Sequence, residues 1–289
     1  MAIYFDQVGR RITGQPFSWG PNDGSLYALS VGASSDGASG LEFTTADANS
    51  AAAVLPSFAV ILTMKSASSP ITHVGDFPLS KIIHAGQEVL LRRPLPTSGT
   101  GIGTTEVTGI FDTGKHAIIE TTTSLRAVDV TTGSGEENTQ EFAQTKSTIL
   151  VLGEGGFGGA KPPQKPARPT GEPHGNASFR TTPNQALLYR LNGDRNPLHF
   201  DTPTATAAGF ERPILHGLCT FGIVSRLLLE EICPDAPACF ESFSARFVKP
   251  VYPGAVLDTA WWHTGSTVHF QVETDGEVVL DSGTFALRQ

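Results

Sequence analysis

The two halves of this chain run through the same order of elements, and that repeat limits the folds open to it. Each half reads as a short element, a loop, a helix and then several strands. Leu26-Tyr27-Ala-Leu-Ser-Val-Gly32 is echoed by Leu188-Tyr189-Arg-Leu-Asn-Gly193. Arg93-Pro94-Leu-Pro96-Thr-Ser-Gly99 is echoed by Lys249-Pro250-Val-Tyr-Pro253-Gly254. The offset between partners is nearly constant, as a duplication requires. Between the halves lie a glycine-rich run, Gly153–Gly159, and a stretch with five prolines in residues 161–174. Proline fixes φ and lacks an N–H, so this stretch makes a stiff connector rather than a core element. The expected organisation is an N-terminal domain over 1–158, a Pro-rich linker over 159–177 and a C-terminal domain over 178–289.

Period and breakers place the elements. Residues 1–25 show little periodicity, and Leu26–Val31 reads as a short strand or helical turn ending at Gly32. Pro56 and Ser57 open a brief helix, and Phe43–Asn49 is weakly structured. Lys81–Arg93, Thr104–Asp112, His116–Val130 and Ser147–Leu152 read as strands. In the second half, Thr202–Gly209 predicts a short helix with Thr202 as its cap and Pro203 at its first position. Leu218, Phe221, Val224, Leu228 and Ile232 recur at helical spacing and predict an amphipathic helix over Leu218–Ile232. Phe240–Val248, Val256–His263, Ser266–Thr274 and Val278–Leu287 read as four antiparallel strands. The glycine run lacks Gly-Lys-Ser/Thr and precedes no helix, so a turn or a close backbone approach is expected there, not a nucleotide loop.

Composition narrows the function classes. A net charge of −8 disfavours nucleic acid or an anionic membrane as the main partner. The odd set Cys219, Cys233 and Cys239 contains no Cys-x-x-Cys pair, so thiols in a reducing compartment are expected. No apolar run reaches the roughly 18 residues of a membrane span. The N-terminus lacks a signal-peptide pattern and Ala-Leu-Arg-Gln is not a peroxisomal address, so the expected location is cytoplasmic.

The chemistry concentrates in Tyr189-Arg-Leu-Asn-Gly-Asp194-Arg195-Asn196-Pro-Leu-His199-Phe-Asp201. An acid, an amide and an imidazole arrive within six residues. Asp-x-Asn-Pro is also simply what a turn needs. Pro213-Ile-Leu-His216-Gly217-Leu follows and opens the long helix. A helix start exposes unpaired N–H groups, and Gly217 has no side chain in the way of a developing oxyanion. Acid, imidazole and oxyanion donor suit addition of water to a carbonyl-conjugated double bond, or its removal, without a metal or other cofactor. The first half has Ala33 after the matching glycine and no such cluster, so one active site per chain is expected.

Tyr-x-Leu-x-Gly-Asp-x-Asn-Pro-Leu-His followed by Ile-Leu-His-Gly resembles the signature of the R-specific enoyl-CoA hydratases, the MaoC-like or hydratase 2 family. Leu55-Pro-Ser-Phe, Ile83-His-Ala-Gly-Gln, Gly155-Gly-Phe-Gly-Gly and Ala245-Arg-Phe-Val-Lys-Pro-Val-Tyr-Pro-Gly resemble the two-domain form found in peroxisomal multifunctional enzymes. The resemblance implies an α+β double hot dog, in which two antiparallel sheets each wrap a central helix. It implies reversible syn hydration of a trans-2-enoyl-CoA thioester. Asp194 and His199 would activate the water, Asn196 would support them, and the Gly217 N–H would hold the thioester oxygen.

His84 and Ala85 match a ligand-contacting His-Gly of the family, although Ala85-Gly86 departs from its usual form, and a core or surface role for His84 stays open. Phe247 matches a ligand-contacting aromatic and is equally suited to core packing. Lys115 and Arg195 could meet CoA phosphates, or be ordinary solvated charges. The resemblance further implies a homodimer, and an N-terminal half that makes room for a bulky acyl chain. The alternatives are a dehydratase of acyl-carrier-protein substrates and a non-catalytic acyl-binding hot-dog subunit.

Overall fold

The computed structural model of the chain describes residues 3–45, 52–128, 140–163, 168–234 and 237–288. In the N-terminal half two short strands, β1 (Arg11–Thr13) and β2 (Phe17–Trp19), precede α1 (Pro21–Ser30), α2 (Leu41–Thr44) and α3 (Ala59–Ser66). The long strands β3 (Ile82–Leu91), β4 (Gly99–Asp112), β5 (Ala117–Ala127) and β6 (Glu141–Val151) follow. The C-terminal half repeats the order with β7 (Gly175–Arg180), α4 (Gln185–Tyr189), α5 (Thr202–Ala207) and α6 (Gly217–Ile232). It closes with β8 (Phe240–Phe247), β9 (Val256–Thr264), β10 (Thr267–Thr274) and β11 (Glu277–Leu287).

All named pairings are antiparallel, and the strands run β1-β4-β5-β6-β3-β8-β11-β10-β9-β7, with β2 also on β4. The double hot dog is therefore one continuous sheet, joined edge to edge by β3 and β8. At the junction Glu88 faces Ser244, two residues separated by the same spacing as Arg93-Pro94 and Lys249-Pro250. A duplicated pair of domains related by a twofold must place equivalent residues opposite each other at its axis, and β3–β8 does so. Pairing the two inner edges also removes them as templates for other chains.

The two central helices differ in length, and that difference makes the cavity. α6 has 16 residues and is buried from Cys219 through Leu229. It lies over a packed aromatic floor in which Phe243 stacks on Phe270 at 4.9 Å and meets Phe221 edge-on at 4.6 Å. α3 has 8 residues and stops at Ala67, which takes a left-handed φ of 51°. The N-terminal sheet is as long as its partner, so the shorter helix leaves part of its concave face uncovered. A core running from Phe17 to Phe285 nevertheless serves both halves, and a second cluster around Val107, Ile119 and Val151 lies in the N-terminal half.

Several details differ from the sequence reading. α5 is capped by Asp201, whose carboxylate accepts from the Thr204 N–H at 2.9 Å, so Thr202 is its first residue and Pro203 its second. An aspartate in extended conformation just before Thr-Pro reaches the free amide better than the threonine one position later. β1, β2 and the first half of α1 lie in the stretch without periodicity, and Leu26–Ser30, read as a short strand or helical turn, is the second half of that helix. The strands are three residues each, too short for alternation to register. β7 takes in Gly175–Ala177, which composition reads as connector. Cys233 and Cys239 are bonded to each other rather than left as thiols. The end of α6 and the turn before β8 bring their Cα atoms to 6.5 Å, within disulfide reach. Cys219 is a buried free thiol. Residues 129–130 of the third expected strand, 46–49 of the loop after Phe43 and 164–167 of the connector lie outside the described residues.

The glycine run is a close backbone approach. The Asp112 carboxylate accepts from the N–H groups of Gly114, Gly156 and Gly158 at 2.7–2.8 Å. These bonds, led by that from Gly156, hold its pKa below the ordinary value against the opposing effect of burial.

Candidate active site

The loop between α4 and α5 is shaped by its own side chains. Gly193 takes φ 122°, a conformation closed to most residues, and this turns the chain into Asp194. The Asp194 carboxylate accepts from the Asn196 N–H at 3.2 Å. Asn196 in turn caps the turn Pro197–His199 by accepting from the Leu198 N–H at 3.0 Å. That turn aims His199 inward.

His199 Nδ1 lies 2.9 Å from the carbonyl of Ile214. A carbonyl can only accept, so Nδ1 carries the proton and Nε2 is left as the basic nitrogen. Burial lowers the pKa of His199, opposed by that bond and by the Asp194 charge. His216 stacks on His199 with ring centroids 3.7 Å apart. Its Nε2 donates to the Asp194 carbonyl at 3.2 Å, which pins the loop from beneath. Burial first, then the neighbouring His199, pushes His216 down to about 4. Tyr189 packs 5.0 Å behind His216, so the stack is anchored in the core.

Gly217 is the first residue of α6 and has no intrahelical acceptor for its N–H. A Cβ at this position would come within 3.3 Å of the Phe247 ring. Phe247 also meets His84 edge-on at 5.1 Å. His84 reaches this place because β3 carries a bulge at Ala85, between the pairs His84–Ile149 and Gly86–Thr148. A bulge re-aims the side chain beside it. Burial pushes His84 down to about 4, opposed by its hydrogen bonds and by the Asp194 charge. Its Nε2 is buried without a partner.

A cavity of about 400 Å³ opens here. Asp194, His84 and Leu218 lie along one part of its wall, and Val60, Met64 and Ile71 line the part in the N-terminal half. Tertiary structure thus brings Asp194, His199, Gly217, His84 and Phe247 together. Asn196 stands one step back as the cap of the turn, and Arg195 is exposed beside Asp194. Lys115 is exposed on the β4–β5 turn, where its carbonyl accepts from Gly155 N–H at 3.2 Å. No contact joins it to the Asp194 loop among the described residues. The place of His216 before Gly217 suits a structural rather than a catalytic role, and its bond to the Asp194 carbonyl is of that kind. Asp194, His199 and His216 offer ligand atoms within 4.8 Å of one another, a set that could hold a metal ion.

The arrangement provides a carboxylate on the cavity wall, a neutral imidazole within 4.8 Å of it, and a free helix-start amide one residue before the cavity-lining Leu218. This suits proton transfer coupled to charge build-up on a carbonyl oxygen.

Two family models match. MFE-2 hydratase 2 N-terminal domain covers residues 17–153, and the MaoC like domain covers residues 164–283. The chain is 40% identical to 3-hydroxyacyl-thioester dehydratase Y of Mycobacterium tuberculosis, over 98% of either protein. It is 33% identical to the peroxisomal enoyl-CoA hydratase 2 of Arabidopsis thaliana, over 89% of this chain and 86% of that one. It is 36% identical to the mouse peroxisomal multifunctional enzyme type 2, over 95% of this chain but 37% of that one. The MaoC-like dehydratase of Phytophthora capsici has the same fold, with a TM-score of 0.86 at 30% identity over 99% and 98% of the two chains. The chain belongs to the MaoC-like family, in its two-domain hydratase 2 form.

Proposed function

We propose that the chain is an (R)-specific 2-enoyl-CoA hydratase, running reversibly as a 3-hydroxyacyl-CoA dehydratase. The observation that carries this reading is that Asp194, on the cavity wall, has the neutral imidazole of His199 within 4.8 Å, and that Gly217, with its free N–H, directly precedes the cavity-lining Leu218. In the hydration direction a water held between Asp194 and His199 adds its oxygen to C3 of the enoyl thioester. The pair takes up one proton of that water and returns a proton to C2 on the same face. As the C3–O bond forms, negative charge moves to the thioester oxygen, where the Gly217 N–H holds it. Such a donor contributes roughly 3–4 kcal/mol to the barrier. His84 and Phe247 form the wall against the acyl group, and Arg195 and Lys115 are candidates for the CoA phosphates.

The names of relatives support the reading: enoyl-CoA hydratase and 3-hydroxyacyl-thioester dehydratase recur among them. The name 3-hydroxyacyl-thioester dehydratase covers carrier-protein as well as CoA thioesters, and matched CoA and carrier-protein substrates separate the two. The proposal extends to a homodimer in the cytoplasm. Light scattering checks the first, and the second is open to imaging because several relatives are named peroxisomal.

The deciding assay is hydration of trans-2-enoyl-CoA with chiral analysis of the product. We expect (R)-3-hydroxyacyl-CoA, with activity lost in Asp194→Asn and in His199→Ala while both variants stay folded. Near wild-type turnover in either variant would falsify the assigned roles, and an inactive wild type would favour the non-catalytic subunit.

A further inference from the structure

The cavity is lined in a way that a plain hydrocarbon tail does not need. In the C-terminal half the concave face is aromatic, with Phe243, Phe270 and Phe285 fully buried. In the N-terminal half two successive rows of the concave face carry hydroxyl and amide groups. Gln87, Ser147 and Thr121 face one another across β3, β6 and β5. Thr105 and Thr123 face each other across β4 and β5 in the next row. All five line the cavity.

Their hydrogen bonds do not use up their capacity. Ser147 donates to Gln87 Oε1 at 3.0 Å. Ser68, Thr105 and Thr123 form a hydroxyl chain with links of 2.6 and 2.8 Å. Each hydroxyl can donate once and accept twice, so such a chain leaves donor or acceptor capacity at its end. The Thr121 hydroxyl has no partner among the described residues, and it points into the same space. Covering these groups with saturated chain would strip their water and return nothing. The lining contains no lysine or arginine, and its titratable groups are His84 and Asp194. It therefore matches a neutral oxygen and not a carboxylate or phosphate.

We propose that the acyl chain accepted by this cavity carries a hydroxyl or keto group on the carbons beyond the reacting double bond. This rests on the hydratase reading of the site and adds the substrate class. Along β3 and its neighbours the polar rows begin some residues past His84. At a strand rise of about 3.3 Å per residue, the oxygen would sit roughly 7–15 Å from the reacting carbons.

The test is kcat/KM of the full chain on two series of trans-2-enoyl-CoAs of equal length. One series is saturated beyond the double bond, and the other carries a hydroxyl moved one carbon at a time along that span. Crotonyl-CoA runs alongside. We expect a preference of about tenfold or more for the hydroxylated series at its best position, as a hydrogen-bonding site gives. Thr121→Val and Thr123→Val should each pull that ratio toward one, and Thr121→Ser should keep it. Equal rates for both series at every position, with crotonyl-CoA still hydrated, overturn this inference and leave the hydratase reading standing. Failure to hydrate any enoyl-CoA removes both. The wild-type ratio decides the matter even if a variant does not fold.

Discussion

Asn192 Nδ2 donates to Ser30 Oγ at 2.8 Å, and the two residues lie 162 positions apart in the chain. Each occupies the same place in its own half. Each also bonds back to the carbonyl three residues earlier, Ser30 Oγ to Tyr27 at 2.7 Å and Asn192 Nδ2 to Tyr189 at 2.8 Å. The rings of Tyr27 and Tyr189 meet edge-on at 6.3 Å. Equivalent residues in mutual contact mark the twofold of the duplication, next to the loop that holds Asp194. In one copy the loop became a site. In the other it became a support, where Gln185 Nε2 donates to the Ser30 carbonyl at 2.6 Å.

The Ser30–Asn192 bond should therefore couple the halves energetically. A double-mutant cycle with Ser30→Ala and Asn192→Ala, followed by denaturant unfolding, should give a coupling of about 1 kcal/mol. Strict additivity would mean that the contact does not bind the halves together.

Gly217→Ala tests the amide at the start of α6. The new methyl would meet Phe247 at 3.3 Å and crowd the approach to the N–H. The N–H itself remains, so we expect kcat to fall by at most about 10²–10³-fold, the loss seen when an oxyanion donor is removed outright, with little change in melting temperature. A variant that loses only affinity would place the thioester oxygen elsewhere.

Asn196→Ala removes the cap of the turn that presents His199. Its stability cost is about 1 kcal/mol, and kcat should drop more than KM rises because the imidazole loses its aim. Asn196→Ser retains an acceptor for the Leu198 N–H and should recover most of the rate. If serine is as poor as alanine, Asn196 acts by touching the substrate rather than by capping.

Acid should weaken both activity and stability. His84 and His216 have folded-state values near 4, and His199 is also lowered. The unfolded chain takes up protons at about 6.5, where the folded protein still refuses them. Stability is therefore complete above about 6.5 and is lost as pH falls from there toward 4. Thermal melts between pH 7 and pH 4 read this loss. The acid limb of kcat/KM should lie below 6.5, because His199 stays neutral to lower pH than a free imidazole. A limb at or above 6.5 would contradict the burial argument.

Much of this was readable along the chain. The long helix was legible because apolar residues recur at helical spacing and the helix begins at a glycine. The long strands were legible from their β-branched alternation except for the first part of β4, Gly99–Gly103, and of β6, Glu141–Lys146, and β1, β2 and β7 escaped because three to six residues carry too little period. Asp194, Asn196, His199 and Gly217 stand in two short segments whose local chemistry is unusual wherever they fold. Nothing local distinguished the cap at Asp201 from one at Thr202, since both residue types serve.

Sequence alone determined the duplication, the order of elements and the set of groups around Asp194, because each depends on neighbours in the chain. Only tertiary structure decided what those groups face. The bulge at Ala85 swings His84 beneath Phe247, the β3–β8 seam brings that wall to Gly217, and the early end of α3 opens the cavity. These are relations between segments far apart in the chain. They arise from sheet register and packing, which no local pattern encodes.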